Sequence, residues 1–330
     1  MSNANQDEAK PKTLLEQYQA ELKSSKGAGD REGEAKALGK MAEVYWDSGD
    51  GEKALKLYKQ ALKIYREIGN RQDEADVLSD LGLVYHFSEE WQRALGYYKQ
   101  ALKIHRDIGD RLGEAIDLGN MGLVYRIKGE PYKALEHHEQ ALKINRELGN
   151  RDGEATDLGN IGLVYQIKGE ADKALEHHEQ ALKIDREIRS RLGEAGDLGN
   201  IGLAYQAKGE LDRALEYHEQ ALGINREIGE RLGEASDLGN MGLVYQSKGE
   251  LDRALELYSQ ALKIDEEIND RLGQANQLSN MGSVYLVKGE LDKAFECYQE
   301  VLGIYERIGA RKQIEKTRQQ IEAVRAKMRE

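Results

Sequence analysis

DLGNMGLVY occupies residues 117–125, DLGNIGLVY 157–165, DLGNIGLAY 197–205 and DLGNMGLVY again 237–245, one copy every forty residues. A fixed period of this length outranks any local reading, because each copy is one supersecondary unit that buries its faces only against its neighbours. Working outward, seven blocks begin at Arg31, Arg71, Arg111, Arg151, Arg191, Arg231 and Arg271, and the register runs to residue 310 without insertion or deletion. Each block holds two amphipathic segments, in the third Gly113–Lys128 and Pro131–Leu148, with Gly129-Glu130 between them. Ala115, Leu118, Gly122 and Tyr125 fall on one helical stripe, as do Ala134, His138, Ala141 and Ile144. Glycine stops the first helix and Pro131 suits the first turn of the second, so each block reads as a helical hairpin.

Composition agrees. Of the 330 residues 33% are charged, only 2 are Pro, and 2 Phe and 2 Trp stand against 17 Tyr. A net charge of −12 argues against nucleic acid or an anionic membrane surface as the main partner, since both demand concentrated Lys and Arg. No apolar run is long enough for a membrane span and no secretory leader pattern opens the chain, so a cytoplasmic protein with no membrane insertion is expected. Cys297, the single cysteine, has no partner for an internal disulfide.

A Leu, Gly and Tyr on the first helix, then Ala, an aromatic or His, and Ala on the second, resemble the tetratricopeptide repeat. In the third block these are Leu118, Met121, Gly122, Tyr125, Ala134, His138 and Ala141, and the resemblance covers residues 31–310. The familiar repeat has about 34 residues and a proline near its end. This one has forty, with Arg106, Arg146, Arg186 or Arg226 at that place. Such long repeats resemble those of the Pins/LGN spindle adaptors, of many prokaryotic tetratricopeptide proteins and, more distantly, of kinesin light chain. The implied fold is all-α: a right-handed α-solenoid of seven stacked helix-turn-helix hairpins (31–70, 71–110, 111–150, 151–190, 191–230, 231–270, 271–310). Residues 1–12 read as disordered, 13–30 as an N-terminal helix and link, and 311–330 as a capping helix with Ile314, Ile321, Val324 and Met328 on one face.

Two glycines recur inside the first helix, Gly119 and Gly122, each at a helix-propensity cost of roughly 1 kcal/mol. Close approach of a neighbouring backbone is the expected compensation. With Ala115, Leu118, Gly122 and Tyr125 turned to the seam, positions 116, 120, 123 and 127 share a different face, which should line a concave groove. There Asn120, Asn160, Asn200, Asn240 and Asn280 form a ladder beside Leu123, Leu163, Leu203 and Leu243, a row expected to be exposed when the groove is empty. Ile127 and Ile167 follow, with Arg126, Gln166, Gln206 and Gln246 on the flank, while Lys40 and Asp80 replace Asn in the first two blocks.

An Asn side chain carries both a donor and an acceptor, so a row of them suits the backbone of an extended peptide whatever its side chains. In the Pins/LGN and kinesin light chain relatives an asparagine at this place holds bound peptide, and the resemblance carries that role to the five asparagines. The competing reading is that each Asn bonds across to the next repeat and sets the stacking.

Other features favour packing over chemistry. His137-His138 and His177-His178 are adjacent on a helix, about 100° apart, and do not chelate one ion together. His138, His178 and His218 replace Tyr58, Tyr98 and Tyr258 and read as seam residues, and Cys297 reads as a buried thiol. No nucleophile with its base and orienting group is evident, and no catalysis, metal or cofactor is expected. The function expected is a scaffold or adaptor that binds an extended or helical segment of another protein. The alternative is a self-assembling homo-oligomer built by end-to-end stacking or hairpin exchange.

Overall fold

The computed structural model describes residues 4–329, with side chains from Thr13 onward, and these residues form sixteen helices and no strand. In chain order they are α1 Ala4–Ala28, α2 Arg31–Asp47, α3 Gly51–Ile68, α4 Arg71–Phe87, α5 Trp91–Ile108, α6 Arg111–Ile127, α7 Pro131–Leu148 and α8 Arg151–Ile167. There follow α9 Ala171–Ile188, α10 Arg191–Ala207, α11 Leu211–Ile228, α12 Arg231–Ser247, α13 Leu251–Glu267, α14 Arg271–Lys288, α15 Leu291–Ile308 and α16 Arg311–Arg329. Residues 1–3, within the segment expected to be disordered, lie outside the described residues, and α1 takes in the rest of that segment from Ala4.

Local chemistry sets the helix ends. At the start of α6 the Asp110 carboxylate accepts from the Gly113 amide, and Gly129, at φ 70°, turns the chain into α7, which opens on Pro131. The shorter connection ends each second helix with a left-handed residue: Gly109, Gly149 and Gly229 in three repeats, but Arg189 at φ 62° in another. A side chain in that conformation costs about 1–2 kcal/mol.

The chain divides into two compact units, up to Val164 and from Tyr165. In the first, α1 through α7 pack each on the next and α4 also meets α6. In the second, α9 through α16 pack in the same way, and α10 meets α12 as α12 meets α14. Each unit is therefore an α-solenoid of hairpins in which the first helices of successive repeats touch.

Ala115, Leu118, Gly122, Tyr125, Ala134, His138, Ala141 and Ile144 are all buried, as the stripe requires. The glycines play unequal parts. A Cβ at Gly122 would lie 2.6 Å from Nε2 of His138, so the residue is small to admit a ring, not a backbone. Tyr98 and Tyr258 fill the same place against Gly82 and Gly242. Gly119 has room: a Cβ there would meet nothing closer than Asp157 Oδ1 at 3.7 Å.

At the ends, Leu22 of α1 packs on the first unit's core, and Lys40 reaches Glu21 of α1 at 3.5 Å. On α16, Thr317, Ile321 and Val324 are buried, Ile314 is half-buried and Met328 is exposed.

Candidate functional site

The four letters DLGN divide the labour between stacking and solvent. Asp117 is fully buried and receives the Ser79 hydroxyl at 2.6 Å and His105 Nδ1 at 2.8 Å. In the next copy Asn145 donates to Asp157 at 2.8 Å, and in the sixth block Asp237 accepts from Asn225 at 2.8 Å. The bonds from His105, Asn145 and Asn225 each join the second helix of one repeat to the first helix of the next, and Ser79 joins two first helices. The fifth block departs, because Asp185 faces Asp197, and burial pushes the Asp197 carboxyl up to about 7 despite a hydrogen bond from Asp185. A second junction is a clasp: Arg106 Nε donates to Glu114 at 2.7 Å and Arg111 grips the other oxygen, with the same trio at Arg146, Glu154 and Arg151. This explains the arginine that stands where the familiar repeat has proline.

The five ladder asparagines, by contrast, are half-buried, and among the described residues none of their side chains has a hydrogen-bond partner. The stacking role that competed for them belongs to the aspartate column three residues earlier. Each of these amides carries a donor and an acceptor.

In the second unit the ladder lines a concavity. Asn240, Leu243 and Ser236 of α12, Asn276 and Asn280 of α14, and Gln313, Lys316 and Gln320 of α16 surround a cavity of about 610 Å³. The apolar lining differs from the expectation in one respect. Leu123, Leu163, Leu203 and Leu243 are half-buried rather than exposed, and Leu243 packs on the core around Tyr258. The open apolar residues of this face include Ile116, Ile127, Ile167 (58% exposed) and a column absent from the expected groove face: Leu112, Leu192, Leu232 and Leu272, one turn before position 116 on the same stripe. Leu232 and Leu272 reach the cavity. Extending the stripe four residues toward the N-terminus from Ile116 identifies them in the sequence.

The flanking column is uneven. Gln166 donates to the Asn200 carbonyl at 2.9 Å, Gln246 accepts from the Tyr258 hydroxyl at 2.8 Å, and Gln206 is half-buried. Arg126 Nε is buried without a partner. In the first two blocks the groove face is charged: burial, with Glu43 and Asp76 nearby, pushes Asp80 up to about 7.

The His137 ring lies tilted against Tyr125, centroids 4.9 Å apart, and donates through Nδ1 to the Lys133 carbonyl, and His177 does the same with Tyr165 and Lys173. His138, His178 and His218 are fully buried, and burial pulls His178 down to about 4. Burial pushes the Cys297 thiol up to about 11. Asp76, His105 and Asp110 do converge, but Gln72 donates to both carboxylates, at 3.3 Å to Asp76 and 2.8 Å to Asp110. Although burial opposes its charge, bonds to Asp117 and Asp76 raise His105 to about 9, so the cluster is balanced by an imidazolium.

Models of the tetratricopeptide repeat match residues 33–107, 114–187 and 198–267, and a second model of that description matches 274–308. No curated protein matches in sequence. Among solved structures, the apo form of RapI is 19% identical with a TM-score of 0.69, covering 86% of this chain and 99% of its own. A Rap protein complexed with Competence and Sporulation Factor is 14% identical with a TM-score of 0.59, covering 97% of this chain and 98% of its own. A tetratricopeptide repeat protein from Parabacteroides merdae is 19% identical with a TM-score of 0.59, covering 86% of this chain and 98% of its own. At these identities the likeness concerns the fold.

Proposed function

The chain belongs to the tetratricopeptide repeat family, and from that premise we propose that it is a protein-interaction scaffold whose groove takes an extended segment of another protein. The observation that carries this reading is the contrast along the first helices: Asp117, Asp157 and Asp237 are consumed by stacking, while among the described residues the side chains of Asn120, Asn160, Asn200, Asn240 and Asn280 have no hydrogen-bond partner. A strand of peptide supplies alternating N–H and C=O groups to such amides, and its apolar side chains would rest on Ile127, Ile167 and the Leu112 column. The Rap protein complexed with Competence and Sporulation Factor is a case of a similar fold carrying a bound factor. End-to-end self-assembly is the lesser reading, because α16 covers α15 with Ile321 and Val324 and turns a polar face outward.

Selection of a random peptide display library against the full chain tests the proposal. It requires enriched peptides that bind at micromolar Kd and slow hydrogen exchange in the first helices of the repeats. No enrichment, or protection confined to the second helices, would contradict it.

A further inference from the structure

The bond that His105 makes to Asp117 is made elsewhere in the array by a simple amide: Asn145 donates to Asp157 and Asn225 to Asp237. An imidazole does that work through Nδ1 alone and has a second ring nitrogen left over. Nε2 of His105 faces two carboxylates, Asp76 Oδ1 at 3.4 Å and Asp110 Oδ2 at 3.8 Å. Asp76 stands in the second turn of α4, His105 in the last turn of α5, and Asp110 caps α6, so three helices converge on one point. Among the described residues neither Asp76 nor Asp110 pairs with a Lys or Arg. Later repeats do not assemble this set: the three places hold Ile116, Asn145 and Asn150 in one, and Thr156, Asp185 and Ser190 in the next. Among the described residues no other three His, Cys, Asp or Glu side chains bring ligand atoms within 4.8 Å of one another.

Tetrahedral Zn2+ with bonds of about 2.1 Å sets its ligand atoms about 3.4 Å apart, close to the spacings around Nε2. A hydrogen bond from the other ring nitrogen to a carboxylate is the contact that orients metal-bound imidazoles and leaves Nε2 free to ligate. Asp117 supplies it, fully buried and itself held by the Ser79 hydroxyl. The ring is also packed against the first turn of α6, since a Cβ at Gly113 would lie 2.6 Å from Nε2. We propose that Asp76, His105 and Asp110 form a binding site for a divalent transition ion of the Zn2+ class, with the fourth position left to water. One imidazole nitrogen with two carboxylate oxygens suits such an ion better than Mg2+ or Ca2+, which take oxygen ligands. Entry is past Asp76 and Gln72, both exposed, and the Gln72 amide that bridges the two carboxylates has only to turn aside. In the metal-free protein a proton on Nε2 balances the cluster, and the ion takes that place and releases the proton to solvent. The ion would tie α4, α5 and α6 together where the second repeat meets the third. The inference goes beyond the peptide-binding reading and does not depend on it.

Isothermal titration of ZnCl2 into the full chain, freed of metal by a chelator, tests the site against Asp76→Asn and Asp110→Asn. The array itself carries both substitutions: Asn276 stands at the place of Asp76, and Asn70 and Asn150 cap their helices at the place of Asp110. Circular dichroism verifies that the variants are folded, and His137→Gln/His177→Gln controls for ions caught by histidines outside the site. The wild type should bind a single Zn2+ per chain at micromolar Kd. Each Asp variant should bind it at least about tenfold more weakly, since losing an outer contact alone costs about 10- to 100-fold. The His137/His177 variant should bind as the wild type does. Zn2+ should also raise the melting temperature of the wild type and not that of the Asp variants. Absence of saturable binding at micromolar Zn2+, an unchanged affinity in either Asp variant, or loss of binding in the His137/His177 variant overturns the site.

Discussion

Asp185→Asn should stabilise the protein, and the gain should grow with pH. Asp185 and Asp197 are both buried, at the place where neighbouring repeats set Asn145 against Asp157 and Asn225 against Asp237. Two carboxyls there hold together only by sharing a proton. Burial raises Asp197 from 3.8 to about 7. A folded-state pKa above the unfolded value gives stability that is full below about pH 4 and is lost as pH rises through about 7. At 1.36 kcal/mol per unit, the penalty grows by roughly 2 to 3 kcal/mol between pH 5 and pH 8. The introduced side chain would supply the amide donor that the other repeats use, so Asp197 could ionise while hydrogen-bonded. Urea denaturation of both chains at pH 5 and pH 8 measures the difference, and hydrogen exchange in α9 and α10 localises it. The variant's advantage should be larger at pH 8 by about that 2 to 3 kcal/mol. An advantage equal at the two pH values would refute the shared-proton account, since the other titrating groups are common to both chains.

Three further substitutions probe the packing. Gly122→Ala puts a methyl into the His138 ring and should cost about 1–3 kcal/mol in urea melts, whereas Gly119→Ala, with open space before it, should be neutral or stabilise by up to about 1 kcal/mol from helix propensity; equal effects would show that the two glycines are equivalent after all. Arg189→Gly relieves the left-handed residue that closes α9 and should raise stability by roughly 0.5–1 kcal/mol, net of the entropy glycine adds to the unfolded chain, while a loss would mean that the Arg189 side chain contributes more than its backbone strain.

Much of the fold was legible because the forty-residue period repeats its own evidence: Ala134, Tyr125 and Pro131 each sit where the pattern puts them. The groove face was legible in phase, as the cavity lined by Asn240 and Asn280 reflects. What escaped was anything that depends on which neighbour comes close. Gly119 and Gly122 look alike in sequence, yet only Gly122 faces a ring. Asp117 and Asn120 are both short polar residues on one helix, and helical phase alone does not say which is matched from the next repeat by a His105 or an Asn145. Arg126 reads as a flank residue, and its lack of a partner emerges only once α4 and α6 are packed. The Leu112 column lay outside positions 116, 120, 123 and 127 because α6 begins more than a turn before Ile116.

In the proposed function the asparagine column is kept for a ligand while the aspartate column holds the stack. Asn160→Ala/Asn200→Ala/Asn240→Ala, compared with Asp237→Ala for both peptide affinity and urea stability, tests it most directly. Loss of ligand hydrogen bonds worth about 1 kcal/mol each predicts a fall in affinity of roughly a hundredfold for the triple variant. Its stability should stay within about 0.5 kcal/mol per site of the wild type. Asp237→Ala strands the buried Asn225 amide and should lose about 1–3 kcal/mol. A triple variant that binds peptide as tightly as the wild type, or that is destabilised as much per site as Asp237→Ala, would contradict the account.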